Sequence, residues 1–167
     1  EVIEGDVRET LPLLVTSSLS LVTPYKLVGN IPYYLTGFLL RLISELRPLP
    51  VRTVFTIQKE VAERIVAQPR MNQLAASVQF WAKPKIVCVI PRSVFVPPPK
   101  VTSAIITLEA CAGGTGTRVD ADTYYAAVHA LFRQPRKTVL NNITHATHLL
   151  KSEVIAALEK AGISSAV

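Results

Sequence analysis

Two hydrophobic periods alternate along the first two thirds of this chain. Short apolar or β-branched runs at residues 25–29, 51–57, 86–90 and 101–108 are bounded by Gly, Pro or charged residues and read as strands. Residues 1–6 read as the tail of a further strand, ending in Gly5-Asp6. Between the strands the period lengthens. Leu39, Leu42, Ile43 and Leu46 fall at i, i+3, i+4 and i+7, which predicts a helix from an N-cap at Thr36 to about Leu46, stopped by Pro48 and Pro50. Residues 59–67 read as a helix with Val61, Ile65 and Val66 inward, broken by Pro69. Residues 71–81 read as another, with Met71, Leu74, Val78 and Trp81 on one side. The Ser/Thr/Leu-rich stretch 12–24 supports no assignment. The order β-β-α-β-α-α-β-β predicts the later part of an α/β sheet closed by a hairpin.

After residue 110 the strand pattern stops. Gly113, Gly114 and Gly116 mark residues 111–119 as a linker. Helical patterns follow at 121–132, 137–150 and 152–160, with Gly162 as a C-cap candidate. The chain therefore reads as a partial Rossmann-like sheet domain over residues 1–110 and a small all-helical domain over 120–167, incomplete at its far end. The first residue is not Met and falls within a pattern, so the chain reads as a fragment of a longer protein.

Composition narrows the partners. The net charge of +6 over 167 residues favours a polyanion such as nucleic acid. No apolar run reaches the roughly 18 residues of a membrane span, and no signal peptide is expected. Cys88 and Cys111 form no metal spacing. Cys88 lies in an apolar run and reads as a buried thiol, in keeping with a reducing cytosol.

Four segments carry chemistry. Asn30-Ile31-Pro32-Tyr33-Tyr34 ends a strand with a side-chain amide, a rigid turn and an aromatic face, which together can hold an amino-bearing ring such as adenine. Carboxyl ends of strands are where open α/β sheets bind ligands. Phe95-Val96-Pro97-Pro98-Pro99-Lys100-Val101-Thr102-Ser103-Ala104 holds an aromatic ring beside an extended, rigid run. Gln58-Lys59-Glu60-Val61 opens a charged helix. Residues 132–142 place Arg133, Arg136 and Lys137 beside Asn141 and Asn142, a candidate phosphate-contacting surface. Alone, each has an ordinary reading as a turn, a Pro-rich loop or a solvated helix start.

Taken in order, these segments resemble the rRNA adenine N6-dimethyltransferase family, the KsgA group, over most of the chain. Asn30-Ile31-Pro32-Tyr33 is similar to that family's Asn-Leu/Ile-Pro-Tyr motif. Gln58-Lys59-Glu60-Val61 resembles its Gln-Lys-Glu-Val segment, and the stretch from Phe95 to Ser103 its second base-facing motif. Residues 132–142 resemble the Arg-Lys-Thr element opening its C-terminal domain, and Gly5-Asp6 its Gly-Asp-Ala motif.

The resemblance implies a class I methyltransferase that uses S-adenosyl-L-methionine to dimethylate N6 of two adjacent adenosines near the 3′ end of small-subunit (16S) rRNA, in the immature 30S particle in the cytoplasm. It implies acceptor-site roles for Asn30, Pro32, Tyr33 and Phe95, with hydrogen bonds from the adenine amino group to the Asn30 side chain and the carbonyl of Ile31 or Pro32. It implies cofactor contacts for Gly5, Asp6 and Asn30, phosphate contacts for Arg64, Arg70, Lys100, Arg133, Arg136 and Lys137, and no metal.

The chain departs from the pattern in places. No Gly-rich cofactor turn is present, so weak or absent cofactor binding is expected, and an uncovered sheet edge invites pairing with a second copy. The complete enzyme is expected to be a monomer. Tyr34 stands where the family often has Asn, and Pro135 where it often has Arg. Two rival readings are a large-subunit rRNA methyltransferase conferring antibiotic resistance and a non-catalytic RNA-binding or ribosome-assembly factor.

Overall fold

A computed structural model describes residues 2–17, 24–111 and 120–163. It falls into two compact units, residues 1–116 and 117–167, each described by itself. The expected linker at 111–119 lies, apart from Cys111, outside the described residues, as does the middle of the 12–24 stretch.

The first unit is built on four strands: β1 (Lys26–Asn30), β2 (Arg52–Gln58), β3 (Ala82–Ile90) and β4 (Ser103–Ala110), in the spatial order β1-β2-β4-β3. β1 and β2 are parallel, while β4 is antiparallel to both β2 and β3. The closing hairpin therefore inserts its second strand against β2 and leaves its first at the edge.

Alternation defines the two faces of this sheet. Phe55 pairs with Ile106 and Ile57 with Ala104, and Leu108 continues the row; all five are buried. This face meets Leu11 and Val15 of α1 (Val7–Ser17) and Leu39, Leu40 and Ile43 of α2 (Thr36–Glu45) in one core cluster. Ala62 and Ile65 of α3 (Lys59–Val66) and Val78 of α4 (Gln73–Gln79) complete the cluster. Each fully buried large side chain contributes about 1.5–3 kcal/mol. The opposite face, carrying Val28, Thr56 and Thr107, is exposed or half-buried, and Val28 is 75% exposed.

Several expectations are corrected. Residues 2–6 form no strand; Asp6 instead opens α1, its carbonyl accepting from the amides of Glu9 and Thr10. The helix expected over 71–81 begins at Gln73, because Asn72 is its N-cap: the Asn72 side chain accepts from Ala75 N and donates to Arg64 O. β3 starts four residues before the expected Ile86, running through Lys83-Pro84-Lys85. A proline without an N–H is tolerated there because β3 is an edge strand. Cys88 is exposed, not buried, for the same reason: it follows a bulge between Ile86 and Cys88, on a strand with one partner. Lysines, Pro84 and the bulge also blunt this edge against pairing with another chain.

The second unit contains α5 (Ala121–Phe132), α6 (Val139–Thr147) and α7 (Lys151–Lys160) around buried Val128, Val154 and Leu158. α6 stops at Thr147, short of the expected Leu150, because His148 turns left-handed (φ 59°). Gly162, at φ +71°, follows α7 as expected, its N–H donating to Glu159 O. No helix among the described residues is long and apolar enough to cross a membrane.

A Cβ built on Gly29 would lie 3.0 Å from Ile31 Cγ2 and 3.2 Å from Phe55 Cε1. Phe55 is locked in the core, so the strand has to yield instead. Gly29→Val is expected to cost about 1–3 kcal/mol, read as a lowered urea midpoint with an unchanged m-value.

Candidate functional site

The parallel pairing of β1 and β2 puts Asn30 opposite Thr56, with Gln58 at the same end of the sheet. The antiparallel pairing of β4 sets Ser103 opposite Gln58 and Ile90. Three motif segments therefore meet at one end: Asn30-Ile31-Pro32-Tyr33 leaving β1, Gln58-Lys59-Glu60-Val61 passing from β2 into α3, and the Pro-rich segment entering β4. Phe95 belongs to the connection between Ile90 and Ser103, at this same end.

Specific bonds tie the segments together. Tyr33 Oη and Ser103 Oγ share a hydrogen bond of 2.5 Å, spanning 70 positions of sequence. Ser103 is completely buried. Lys59 N donates to Thr102 O at 3.0 Å, joining the start of α3 to the same segment. The sequence places Thr102 and Ser103 in the Phe95–Ser103 motif without giving either a role, and only the register reveals Ser103 as Tyr33's partner.

The turn after β1 divides its hydrogen-bonding groups. Pro32 O accepts from Leu35 N at 2.9 Å, and Tyr33 O accepts from the amide of Thr36, in a 3-10 turn leading into α2. The Pro32 carbonyl thus already accepts one hydrogen bond and keeps one lone pair. Among the described residues the Ile31 carbonyl and the Asn30 side-chain amide have no partner, and Asn30 is exposed. By alternation Asn30 lies on the sheet face opposite the core. Tyr33 and Phe95 are each half-buried, and no ring-to-ring contact of either is seen among the described residues.

Asp6 is occupied locally. Its carboxylate accepts from Arg8 N and Nε and is ion-paired with Arg8 Nη2. The bonds from the Arg8 side chain, then that from its backbone amide, lower the Asp6 pKa to about 2. A carboxylate has about four lone-pair sites; three Arg8 N–H groups engage it, the Nε–H shared between both oxygens, and the pair lies at the surface. Gly5 lies against the Thr10 methyl.

The cations divide between the units. Arg64, Arg70 and Lys100 in the first unit and Arg133, Arg136 and Lys137 in the second are exposed, and none is ion-paired among the described residues. In the second unit, Asn142 is a buried organiser, not a surface contact. Its Oδ1 accepts from Gln134 N at 3.1 Å, and its Nδ2 donates to Gln134 O and Lys137 O. It clamps the turn closed by Lys137 N to Gln134 O, and Pro135 at the second turn position supplies the fixed φ that such turns favour. Thr138 then caps α6 through Asn141 N.

Tyr33→Phe is expected to lose about 1–3 kcal/mol, because the Ser103 hydroxyl is left buried and unpaired. Ser103→Ala in the Tyr33→Phe background should recover most of that loss in a denaturant-based double-mutant cycle. For Asp6, a lowered folded-state pKa means the pairing with Arg8 is fully present above the unfolded value of about 3.9. It is lost as the pH falls toward about 2. NMR titration of the Asp6 carboxyl carbon should give that midpoint, and Arg8→Gln should raise it.

The model of the family "Ribosomal RNA adenine dimethylase" matches residues 1–165. A ribosomal RNA small subunit methyltransferase A of Dehalococcoides mccartyi is 37% identical over 166 residues, 99% of this chain and 56% of the relative. One from Shouchella clausii is 35% identical over 170 residues, 98% of this chain and 57% of the relative. The chain thus spans about half the length of these relatives. Among solved structures, a dimethyladenosine transferase from Plasmodium falciparum superposes with a TM-score of 0.74 at 28% identity, over 98% of this chain and 64% of that one. The 23S rRNA methyltransferase ErmE gives 0.65 at 20% identity, over 99% and 72%, a likeness of fold alone. The sheet and its helices are therefore a part of the methyltransferase fold, and the chain belongs to the ribosomal RNA adenine dimethylase family.

Proposed function

We propose that this chain forms the acceptor-holding part of an S-adenosylmethionine-dependent enzyme that dimethylates N6 of two adjacent adenosines near the 3′ end of small-subunit rRNA, during ribosome assembly in the cytoplasm. The observation that carries this reading is the pairing of two uncommitted acceptors, the Asn30 amide oxygen and the Ile31 carbonyl, beside the anchored Tyr33.

An adenine N6 has two hydrogens and a lone pair delocalised into the ring. Asn30 Oδ1 and Ile31 O would accept the two hydrogens and draw the nitrogen toward a pyramidal shape, with its lone pair out of the ring plane. That is stabilisation of the reacting geometry without a strong base. The base has to leave its stack to reach this point. Tyr33 and Phe95 would hold it by stacking, each worth roughly 1–3 kcal/mol. The Tyr33–Ser103 bond limits how far the Tyr33 ring can turn, so its face is pre-set. Pro32 fixes the backbone that presents Ile31 O. Arg64, Arg70, Lys100, Arg133, Arg136 and Lys137 would engage RNA phosphates.

S-adenosylmethionine, when bound, supplies an electrophilic methyl group. Of the residues expected to hold it, Asn30 is free among the described residues, Asp6 would share its carboxylate with Arg8, and Gly5 lies beside Thr10. No step through the donor is derived from this chain.

In the full-length gene product, Asn30→Ala should lower radiolabelled methyl incorporation into undermethylated small subunits by about 10²–10³-fold, as for loss of a group that acts on the transition state, with RNA affinity unchanged. Near-normal turnover would sink the role of Asn30. No incorporation by the unsubstituted protein, with RNA binding intact, would favour an assembly factor instead.

A further inference from the structure

The second unit contains an open cleft of about 370 Å³ lined by Gln134, Lys137, Asn141, Thr144 and His145. Its size falls in the range of small-molecule pockets, and all five lining side chains are polar. We propose that it holds one unstacked nucleotide of bound RNA, its phosphate at Lys137 and its base edge at the amides of Gln134 and Asn141. The proposal rests on the reading of the chain as an RNA-acting protein.

A site for a bare anion needs cations and N–H donors only. This cleft adds two primary amides, each both donor and acceptor, that have no side-chain partner among the described residues. Thr144 Oγ1 donates to Leu140 O at 2.8 Å and keeps its lone pairs for a ligand. His145 is exposed and offers a ring for stacking. Amide edges beside a planar ring are the means by which unpaired RNA bases are read. The cleft is also pre-shaped. Asn142, beneath it, fixes the Gln134–Lys137 turn through three hydrogen bonds, and Thr138 fixes the first turn of α6. Lys137, Asn141 and His145 follow at i, i+4 and i+8, so they line one side of the helix and the turn leading into it.

The test uses the isotopically labelled full chain with AMP, GMP, CMP, UMP and inorganic phosphate as separate probes. At least one nucleotide should shift the side-chain amide resonances of Gln134 and Asn141 saturably, with phosphate alone leaving them in place. Equal shifts with phosphate would reduce the cleft to an anion site and overturn the proposal, as would no shift with any probe. Asn141 is exposed and its backbone, not its side chain, serves the helix cap, so Asn141→Ala should fold normally. That variant should bind a single-stranded RNA oligonucleotide about tenfold more weakly, the loss expected for one amide-to-base contact, with an unchanged slope of affinity against salt. Arg133→Ala should instead flatten the slope. Unchanged affinity of Asn141→Ala would sink the cleft while leaving methyl transfer at Asn30 untouched. Absence of methyl transfer by the full-length gene product, with normal nucleotide shifts in this chain, would sink the enzyme reading and spare the cleft.

Discussion

The Tyr33–Ser103 hydrogen bond is the constraint on which the site at the sheet end depends. It joins the turn after β1 to the first residue of β4, two strands that are not neighbours in the sheet. β2 lies between them, and the start of α3 that follows it adds a link from Lys59 N to Thr102 O. A buried serine hydroxyl needs a partner, and Tyr33 is that partner. Meeting the need holds an aromatic ring and the Pro-rich entry to β4 at fixed positions relative to Asn30. The stability of the buried end of β4 and the geometry of the acceptor pocket therefore rest on one interaction.

The second unit solves a similar problem with Asn142. A loop rich in cations repels itself and gains little from packing. One buried amide, satisfied at both ends by the backbone of residues 134 and 137, lets the loop keep one shape while Arg133, Arg136 and Lys137 stay in water. The charges supply attraction to a polyanion, and the neutral clamp supplies the position from which they act. In both units a polar residue without charge does the organising, and among the described residues the Asn30 amide, the Ile31 carbonyl and the loop cations are left without intramolecular partners.

Much of this was legible from periodicity. The strands around residues 25–29 and 51–57 and the helices at 36–46, 59–67 and 121–132 follow the hydrophobic pattern closely, because each buries one face. What misled was local chemistry whose outcome tertiary pairing decides. Cys88 sits in an apolar run, yet an edge strand with a bulge leaves it in solvent. Gly5-Asp6 looks like a strand end, but an aspartate two residues before an arginine can form its own cap and ion pair, and does. At the site, Asn30, Tyr33 and Phe95 stood out by residue type. The bond of Ser103 to Tyr33, that of the Pro32 carbonyl to Leu35 and the clamp role of Asn142 did not, since nothing in one sequence says which serine meets which tyrosine.

The free groups decide between an acceptor site and a structural turn. A turn that serves only the fold has its polar groups satisfied internally, as the Pro32 and Tyr33 carbonyls are. Asn30 and the Ile31 carbonyl immediately before them are not, although Ile31 packs against the core. Holding two acceptors side by side without partners costs folding energy unless water or a ligand satisfies them. Exposure on the open face of the sheet lets water do so in the resting protein. The same exposure lets an amino group with two hydrogens displace that water, exchanging two solvent bonds for two oriented ones. The backbone that presents these acceptors is held by β1, β2, β4 and the 3-10 turn into α2, all within this chain, so the acceptor side can be in place before any methyl donor arrives.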